Sequence, residues 1–346
     1  MKNKLLIYGA NGYSGELMCR AATQRNLDVV IAARSDTRLR PLADELGIEY
    51  RVFALEDAVG ALDDIAVVLN CAGPFSATAR PLVEACLAMG IHYVDIAGEL
   101  SVFQMCHELD ARAKAASILL CPGAGFDIVP TDCLAASLKA RMPDAQRIDL
   151  AFSFGTRPSA GSLKTLVEGI RLGGLIRRDH QLKKVSNGYR IRRVPFKDRA
   201  RWSVTIPWAD VYTAGVSTGV PNGMVYTALP LGVGIFLRLT SAINGLLATP
   251  TAQRWLKHLI DRFYTGGPSH AELDNHRTQF WGEAVDTDGR KLTAVLSAPS
   301  VYRLTVEAGL AIAVHCLKGP VAGFHTPAML MGNEFIQSLP GVEWEH

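Results

Sequence analysis

The run Lys4-Leu5-Leu6-Ile7-Tyr8-Gly9-Ala10-Asn11-Gly12-Tyr13-Ser14-Gly15 decides the fold of this 346-residue chain. A short, mostly apolar strand pattern stops at a G-x-x-G-x-x-G loop, and a helical pattern follows over residues 16–25. Glycines permit a tight turn and close backbone approach, and a helix N-terminus offers N–H groups to a pyrophosphate. The motif predicts a dinucleotide site at Gly9, Asn11, Gly12, Tyr13, Ser14 and Gly15; a purely structural glycine turn is the alternative.

The second predicted strand, residues 29–33, ends at Arg34 and Ser35. Sites for NAD usually carry an acid at this position, where it binds the ribose hydroxyls. A cation there suits the 2′-phosphate of NADP, which an acid would repel. The sequence therefore favours NADP(H) as cofactor, with Arg34 and Ser35 in contact with it; a solvated surface arginine is the alternative.

Strand and helix patterns alternate along the first part of the chain. Further strands are predicted at residues 50–53, 66–75, 92–96 and 118–121, with helices at 39–46, 80–89, 102–116 and 130–141. Such alternation predicts an α/β fold, a doubly wound parallel Rossmann sheet that binds ligands beyond the carboxyl ends of its strands. We expect the turn after the fourth strand to lie near the nicotinamide; an ordinary structural turn is the alternative. The residues of this turn are Asn70, Cys71, Ala72, Gly73, Pro74 and Phe75.

Three residues are candidates for catalysis. Asp127 and Ser162 follow glycine-bearing loops, where a side chain can face a bound nicotinamide, and Tyr93 has an ionisable hydroxyl on a predicted strand. Each has a structural alternative: Tyr93 as a packing residue, and Asp127 and Ser162 as helix N-caps. No metal site is expected, because the sequence contains no C-x-x-C pair.

Composition narrows the class of protein. The formal net charge is only +3, which argues against a general nucleic-acid binder. The seven cysteines lie among apolar neighbours, which is typical of a reducing compartment. The N-terminus lacks a signal-peptide pattern, and the apolar stretch over residues 228–247 is interrupted by Pro, Gly, Arg and Asn. We therefore expect a cytoplasmic protein without a transmembrane span.

Basic charge is concentrated between Arg177 and Arg201, a stretch that contains ten Lys and Arg residues but only two Asp residues. This segment, the basic segment below, could attract an anionic partner such as a coenzyme A thioester, an acyl-carrier protein or a membrane surface. The alternative is a solvated hairpin, since apolar residues interleave with the charges. A new predicted strand begins at Arg147, and we place a domain boundary just before this strand.

Several motifs resemble the saccharopine dehydrogenase-like oxidoreductases, and in particular the branch that includes trans-acting enoyl reductases. Besides the glycine loop they are residues 69–75, His92-Tyr93-Val94-Asp95-Ile96-Ala97-Gly98-Glu99, residues 125–132, Ile206-Pro207-Trp208, residues 217–222 and Gly323-Phe324-His325-Thr326-Pro327-Ala328.

The resemblance implies three segments. Residues 1–142 are the NADP-binding Rossmann domain, residues 143–298 a mixed α+β domain for substrate and dimerisation, and residues 299–346 a C-terminal helical segment that packs back on the first domain. It also implies an NADPH-dependent reductase of an activated C=C bond in a small-molecule or acyl-type substrate. A saccharopine-type dehydrogenase acting on C=N bonds and a non-catalytic, NADP-binding or membrane-associated scaffold are the alternatives. A homodimer is expected, because most soluble oligomers are symmetric pairs.

Overall fold

The computed structural model describes residues 3–154, 173–240, 249–263 and 276–345. It divides into two compact units. The first contains Met1–Cys133 and Tyr302–Leu339, and the second contains Leu134–Val301 and Pro340–His346. The three-segment division given above stays a prediction.

Strands and helices are numbered separately in chain order. The strands are β1 Lys4–Tyr8, β2 Val29–Ala33, β3 Glu49–Val52, β4 Ile65–Asn70, β5 His92–Asp95, β6 Leu119–Cys121, β7 Arg147–Ser153, β8 Gly174–Arg178, β9 Gln181–Val185, β10 Ile191–Pro195, β11 Ala200–Thr205, β12 Asn222–Ala228, β13 Thr278–Val285, β14 Lys291–Ala298, β15 Gly323–Phe324 and β16 Glu343–Glu345. The helices are α1 Tyr13–Gln24, α2 Asp36–Leu46, α3 Phe75–Met89, α4 Leu100–Glu108, α5 Asp110–Ala115, α6 Val129–Arg141, α7 Asp210–Thr218, α8 Leu231–Thr240, α9 Pro250–Phe263, α10 Val301–Cys316 and α11 Pro327–Met331. Short 3-10 turns cover Leu55–Ala61 and Phe335–Ser338.

The described part of the first unit is built on a seven-stranded sheet in the order β15-β6-β5-β4-β1-β2-β3. All of its pairings are parallel. Strands β1, β2 and β4 are almost wholly buried, as expected of a parallel sheet covered on both faces. The predicted Rossmann fold is confirmed, with a topological switch point between β1 and β4 where such sheets bind ligands.

Several helix boundaries differ from the predicted ones. Helix α3 begins at Phe75 rather than at residue 80, although Pro81 lies inside it. The single helix predicted over residues 102–116 is two helices, α4 and α5, which meet at Leu109. The two-residue strand β15 was not predicted, since so short a run carries no periodic signal.

The second unit contains a mixed sheet whose described strands follow the order β10-β11-β12-β7-β13-β14-β16, with the hairpin β8-β9 attached to β12. Strand β12 is parallel to β7, and the neighbouring pairs are antiparallel. The basic segment forms β8, β9, β10 and the start of β11, that is, two successive hairpins. A buried cluster that includes Tyr226 and Trp281 lies on one face of the sheet. The predicted mixed α+β second domain is thus confirmed as a fold class.

All seven cysteines are free and buried. Within the described ranges, no helix is both long and apolar enough to cross a bilayer.

Candidate active site

The glycine loop makes a turn that only small residues can form. Gly9 has a φ of +83°, and a Cβ on it would lie 2.7 Å from the backbone nitrogen of Ala72. A Cβ on Gly15 would lie 2.2 Å from the carbonyl oxygen of Gly9. The amide of Gly12 donates to that carbonyl oxygen at 3.0 Å and closes the turn. The loop thus packs backbone on backbone, with no room for side chains at Gly9 and Gly15.

Helix α1 starts within the glycine motif, at Tyr13 rather than at the predicted residue 16, and Gly12 is its N-cap residue. Because a glycine stands at the N-cap, no N-cap side chain covers the first amides of the helix. Asn11 and Ser14 are half-buried, whereas Tyr13 is exposed and contacts the ring of Tyr302 edge-on, with the ring centroids 4.6 Å apart. The glycine cradle and the uncapped helix end fit a pyrophosphate group.

Arg34 and Ser35 lie exposed at the carboxyl end of β2. The Ser35 hydroxyl lies 3.3 Å from that of Thr37. Arg40 is held by Asp36 at 2.9 Å, whereas Arg34 forms no ion pair with any described residue. An unpaired cation at this position fits the 2′-phosphate of NADP.

The turn after β4 is fixed by Asn70, which is fully buried. Its side-chain oxygen accepts from the amide of Ala72 at 3.0 Å, and its nitrogen donates to the hydroxyls of Thr78 and Tyr93. Thr78 in turn donates to the carbonyl of Ala72 at 2.6 Å. These bonds hold the turn in one conformation beside Gly9. Within the turn, Cys71 is buried, Ala72 and Phe75 are half-buried, and Gly73 and Pro74 are exposed.

Glu99 binds the start of α3 and was missed as a site residue. Its carboxylate accepts from the amides of Phe75 and Ser76 at 2.9 and 2.6 Å. A carboxylate at a helix N-terminus satisfies unpaired amides and complements the helix dipole. This contact ties the loop after β5 to the turn after β4. The Gly98-Glu99 pair after a strand was the only signal for it in the sequence.

Tyr93 is fully buried on β5. Its hydroxyl accepts from Asn70 and donates to Asp95 at 2.8 Å. Burial raises the pKa of Tyr93 well above its usual range. A buried phenol with two partners of its own fits a positioning role better than proton donation. Asp95, also missed as a site residue, accepts from the amides of Ala97 and Gly123 at 2.9 Å each, and burial raises its pKa to about 6.

Asp127 follows the turn after β6 and is half-buried. The position that a Cβ would take on Gly98 lies 3.0 Å from its Oδ2, so the carboxyl group packs against the loop after β5. It makes no hydrogen bond or ion pair with the described residues. Burial raises the pKa of Asp127 to about 6. The alternative interpretation, a helix cap, therefore lacks the hydrogen bond that a cap would make.

The loops after β4, β5 and β6 are thus joined at one edge of the sheet, through Glu99 and through the Gly98–Asp127 contact. Ser162 lies outside the described residues. In the parts of the chain that are described, no group of three or more His, Cys, Asp or Glu residues could hold a metal ion.

This edge, with its glycine cradle and cation, defines a nicotinamide-dinucleotide-binding domain. Residues 5–121 match the family described as the saccharopine dehydrogenase NADP binding domain. The resemblance stated above is confirmed over this part of the chain, which is an NADP-binding domain similar to that of the saccharopine dehydrogenases.

Individual relatives differ in how much of the chain they match. A trans-acting enoyl reductase of Mycobacterium tuberculosis is 25% identical over 97% of this chain and 95% of that protein. Another, of Mycobacterium ulcerans, is 32% identical over 49% of this chain and 44% of its own length. A saccharopine dehydrogenase-like oxidoreductase of Rattus norvegicus is 23% identical over 58% of this chain and 53% of its own length. The chain therefore spans about half the length of these last two relatives.

The fold of a solved relative agrees. Apo saccharopine dehydrogenase (L-Glu forming) from Saccharomyces cerevisiae superposes with a TM-score of 0.68 over 99% of this chain and 100% of that chain, at 12% identity. At this identity the likeness concerns the fold alone.

Removing the cation at the end of β2 should weaken NADPH binding selectively. We expect Arg34→Ala to raise the Kd for NADPH by about 30- to 100-fold, since a charged hydrogen bond contributes roughly 1.5–3 kcal/mol. The Kd for NADH should change less than about twofold, because NADH has no 2′-phosphate. Nicotinamide fluorescence measures both. Arg40→Ala is the matched control, since Arg40 is exposed on the adjoining helix but paired with Asp36; equal losses for both nucleotides in Arg34→Ala would contradict the assignment.

Proposed function

We propose that this oxidoreductase uses NADPH to reduce the activated C=C bond of an enoyl substrate. The observation that carries the proposal is the similarity to a trans-acting enoyl reductase over nearly the whole of both chains. The free carboxyl group of Asp127 supports it, because a reduced C=C bond needs a proton as well as a hydride.

Each residue of the edge has a proposed role. The glycine loop, with Asn11, Tyr13 and Ser14, binds the pyrophosphate, and Arg34 with Ser35 binds the 2′-phosphate. Asn70 to Phe75 line the nicotinamide side. Tyr93 and Asp95 position that turn rather than react.

The proposed reaction is balanced by one hydride and one proton. NADPH held by the glycine loop, Arg34 and the turn after β4 would supply the hydride for the β-carbon as the C=C π bond breaks, and would be left as NADP⁺. The carboxyl group of Asp127 donates its proton to the α-carbon and becomes a carboxylate. Solvent returns the proton, which a pKa of about 6 permits near neutral pH.

Turnover of competing substrates tests the function. Purified protein with NADPH should oxidise the nucleotide in the presence of an α,β-unsaturated acyl thioester, measured by absorbance. Saccharopine with NADP⁺, and lysine plus 2-oxoglutarate with NADPH, should give at least about 100-fold lower kcat/KM, or roughly 2.7 kcal/mol. The reverse preference would establish the imine-type dehydrogenase instead.

That alternative uses the same residues. The rat relative is named a saccharopine dehydrogenase-like oxidoreductase, and the NADP-binding domain belongs to that family. In C=N reduction the proton from Asp127 would go to nitrogen. Binding of NADPH without turnover of either substrate class would favour the non-catalytic scaffold.

We further propose that the protein acts in the cytoplasm as a homodimer. The free, buried cysteines are in keeping with a reducing compartment. Light scattering of the purified protein measures its molar mass in solution and therefore its oligomeric state.

A further inference from the structure

Helix α8 packs against the hairpin that β10 and β11 form in the basic segment. Leu237 is buried against Val204 of β11, with Ile191 of β10 and Val233 packed around them. A Cβ on Gly234 would lie 3.3 Å from Ile191, so this glycine lets the helix lie close to the strands. The inner face of α8 is therefore fully used in packing.

The outer face of α8 is apolar as well. Ile235, Phe236 and Leu239 are 46%, 60% and 70% exposed, and Leu231 is 37% exposed. These four residues, the outer ridge below, are spaced so that they share one side of the helix. Single exposed apolar residues are ordinary, but a contiguous apolar ridge marks an interaction surface.

The sheet beside the helix continues this surface with an aromatic and a cationic side chain. Arg193 and Trp202 are paired across β10 and β11, two residues from the Ile191–Val204 pair that α8 covers. Alternation along strands places all four side chains on the same face. Trp202 is 43% exposed, and Arg193 is exposed and forms no ion pair with a described residue.

Part of the basic segment is neutralised within the protein. Lys197 pairs with Glu343 and Glu345, Arg201 with Asp198, and Arg192 with Glu283. Other basic side chains are exposed and form no ion pair with the part of the chain described here: Arg178, Lys183, Lys184, Arg190, Arg193 and Arg199. Of these, Arg190, Arg193 and Arg199 belong to or directly adjoin the β10–β11 hairpin on which α8 packs, so this hairpin carries positive charge that is unpaired among the described residues.

We propose that the outer ridge and Trp202 dock into the interfacial layer of an anionic lipid bilayer, with Arg190, Arg193 and Arg199 of the β10–β11 hairpin against its headgroups. Apolar helix faces with flanking basic residues bind this layer, and tryptophan prefers it. Each basic side chain near such a surface adds attraction. A second copy of the chain would fit poorly, because two positively charged hairpins would face each other. This docking is independent of the reaction proposed above.

Vesicle flotation tests the docking. The full-length protein should float with phosphatidylcholine vesicles that contain phosphatidylglycerol and bind pure phosphatidylcholine vesicles at least about tenfold more weakly. Phe236→Glu with Leu239→Glu should lower the partition coefficient on anionic vesicles by at least about tenfold. Val321→Glu is the matched control: Val321 is 71% exposed in the first unit, and its replacement should have no effect.

A second pair of substitutions separates the electrostatic contribution to membrane binding from the apolar one. Arg193→Glu with Arg199→Glu should weaken binding to anionic vesicles and flatten its dependence on salt, while leaving the Kd for NADPH and the Tm at wild-type values. Three results would overturn the proposal. They are absence of wild-type binding, equal binding by the outer-ridge variant, and a wild-type dimer that the outer-ridge variant dissociates, which would make the surface a contact between copies.

Discussion

Replacing Gly15 with alanine should raise the Kd for NADPH by more than about 100-fold, a loss of at least roughly 2.7 kcal/mol. The new methyl group would lie 2.2 Å from the carbonyl oxygen of Gly9, which is backbone and cannot rotate away. The loop must then open, and both the turn and the start of α1 shift. Because a pyrophosphate is bound by backbone amides in such a loop, a shift of the backbone removes the site itself.

The measurement is a fluorescence titration with NADPH, accompanied by the Tm of each protein. Gly60→Ala is the matched control, because a Cβ there meets nothing within 4 Å. A folded Gly15→Ala protein that binds NADPH within about threefold of wild type would show that the loop is structural only.

Asp127→Asn should lower kcat by about 10²–10⁴-fold, the usual contribution of a positioned acid. The asparagine keeps the shape of the side chain but has no proton to donate. With burial raising the pKa of Asp127 to about 6, the wild-type kcat should fall as pH rises above that value. The variant should be slow and should lack this pH dependence.

The same variant should be more stable than wild type at alkaline pH. A carboxyl whose folded pKa exceeds its unfolded value near 3.8 holds its proton more tightly when folded. Stability is therefore lost as pH rises from about 4 to 6 and stays lost above it. We expect Asp127→Asn to gain about 1–3 kcal/mol of unfolding free energy at pH 8 and at most about 0.5 kcal/mol at pH 4.

Urea unfolding at the two pH values and a pH profile of kcat with an enoyl thioester check both effects. Asp57→Asn, at an exposed carboxyl in the first unit, is the control and should change neither quantity. Wild-type kcat in Asp127→Asn, together with an unchanged pH profile, would remove Asp127 from the reaction and leave water or another group as the donor.

The fold and the cofactor half of the site could be predicted because their signals are local. Strand β1, the glycine loop and α1 are consecutive in the chain, and Arg34 follows β2 directly. Strands β2, β4 and β6 could be located because they are buried on both faces and therefore appear as short continuous apolar runs. Even so, the start of α3 was placed five residues late, since the carboxylate that caps it comes from Glu99, which lies 24 residues beyond Phe75.

The roles of the candidate catalytic residues could not be predicted, because they depend on contacts between residues that are distant in the sequence. Tyr93 looks like a candidate acid until Asn70 and Asp95 are seen to bind its hydroxyl. From the sequence, Asp127 could equally be a helix cap or an acid, and the two interpretations differ only in that its carboxyl group makes no hydrogen bond with the residues that the structure describes. The basic segment forms hairpins, as its interleaved apolar residues suggested, but the exposed ridge of α8 beside it could not be foreseen, because an apolar run does not say which face is covered.

Hydride transfer from NADPH to a C=C bond can be followed directly with an isotope label. The protein should be incubated with NADPH deuterated at C4 of the nicotinamide and an α,β-unsaturated acyl thioester, and the product analysed by mass spectrometry and NMR. We expect one deuterium at the β-carbon of a saturated thioester. An unreduced thioester, with deuterium found instead in the amine product of a parallel incubation with lysine and 2-oxoglutarate, would contradict it.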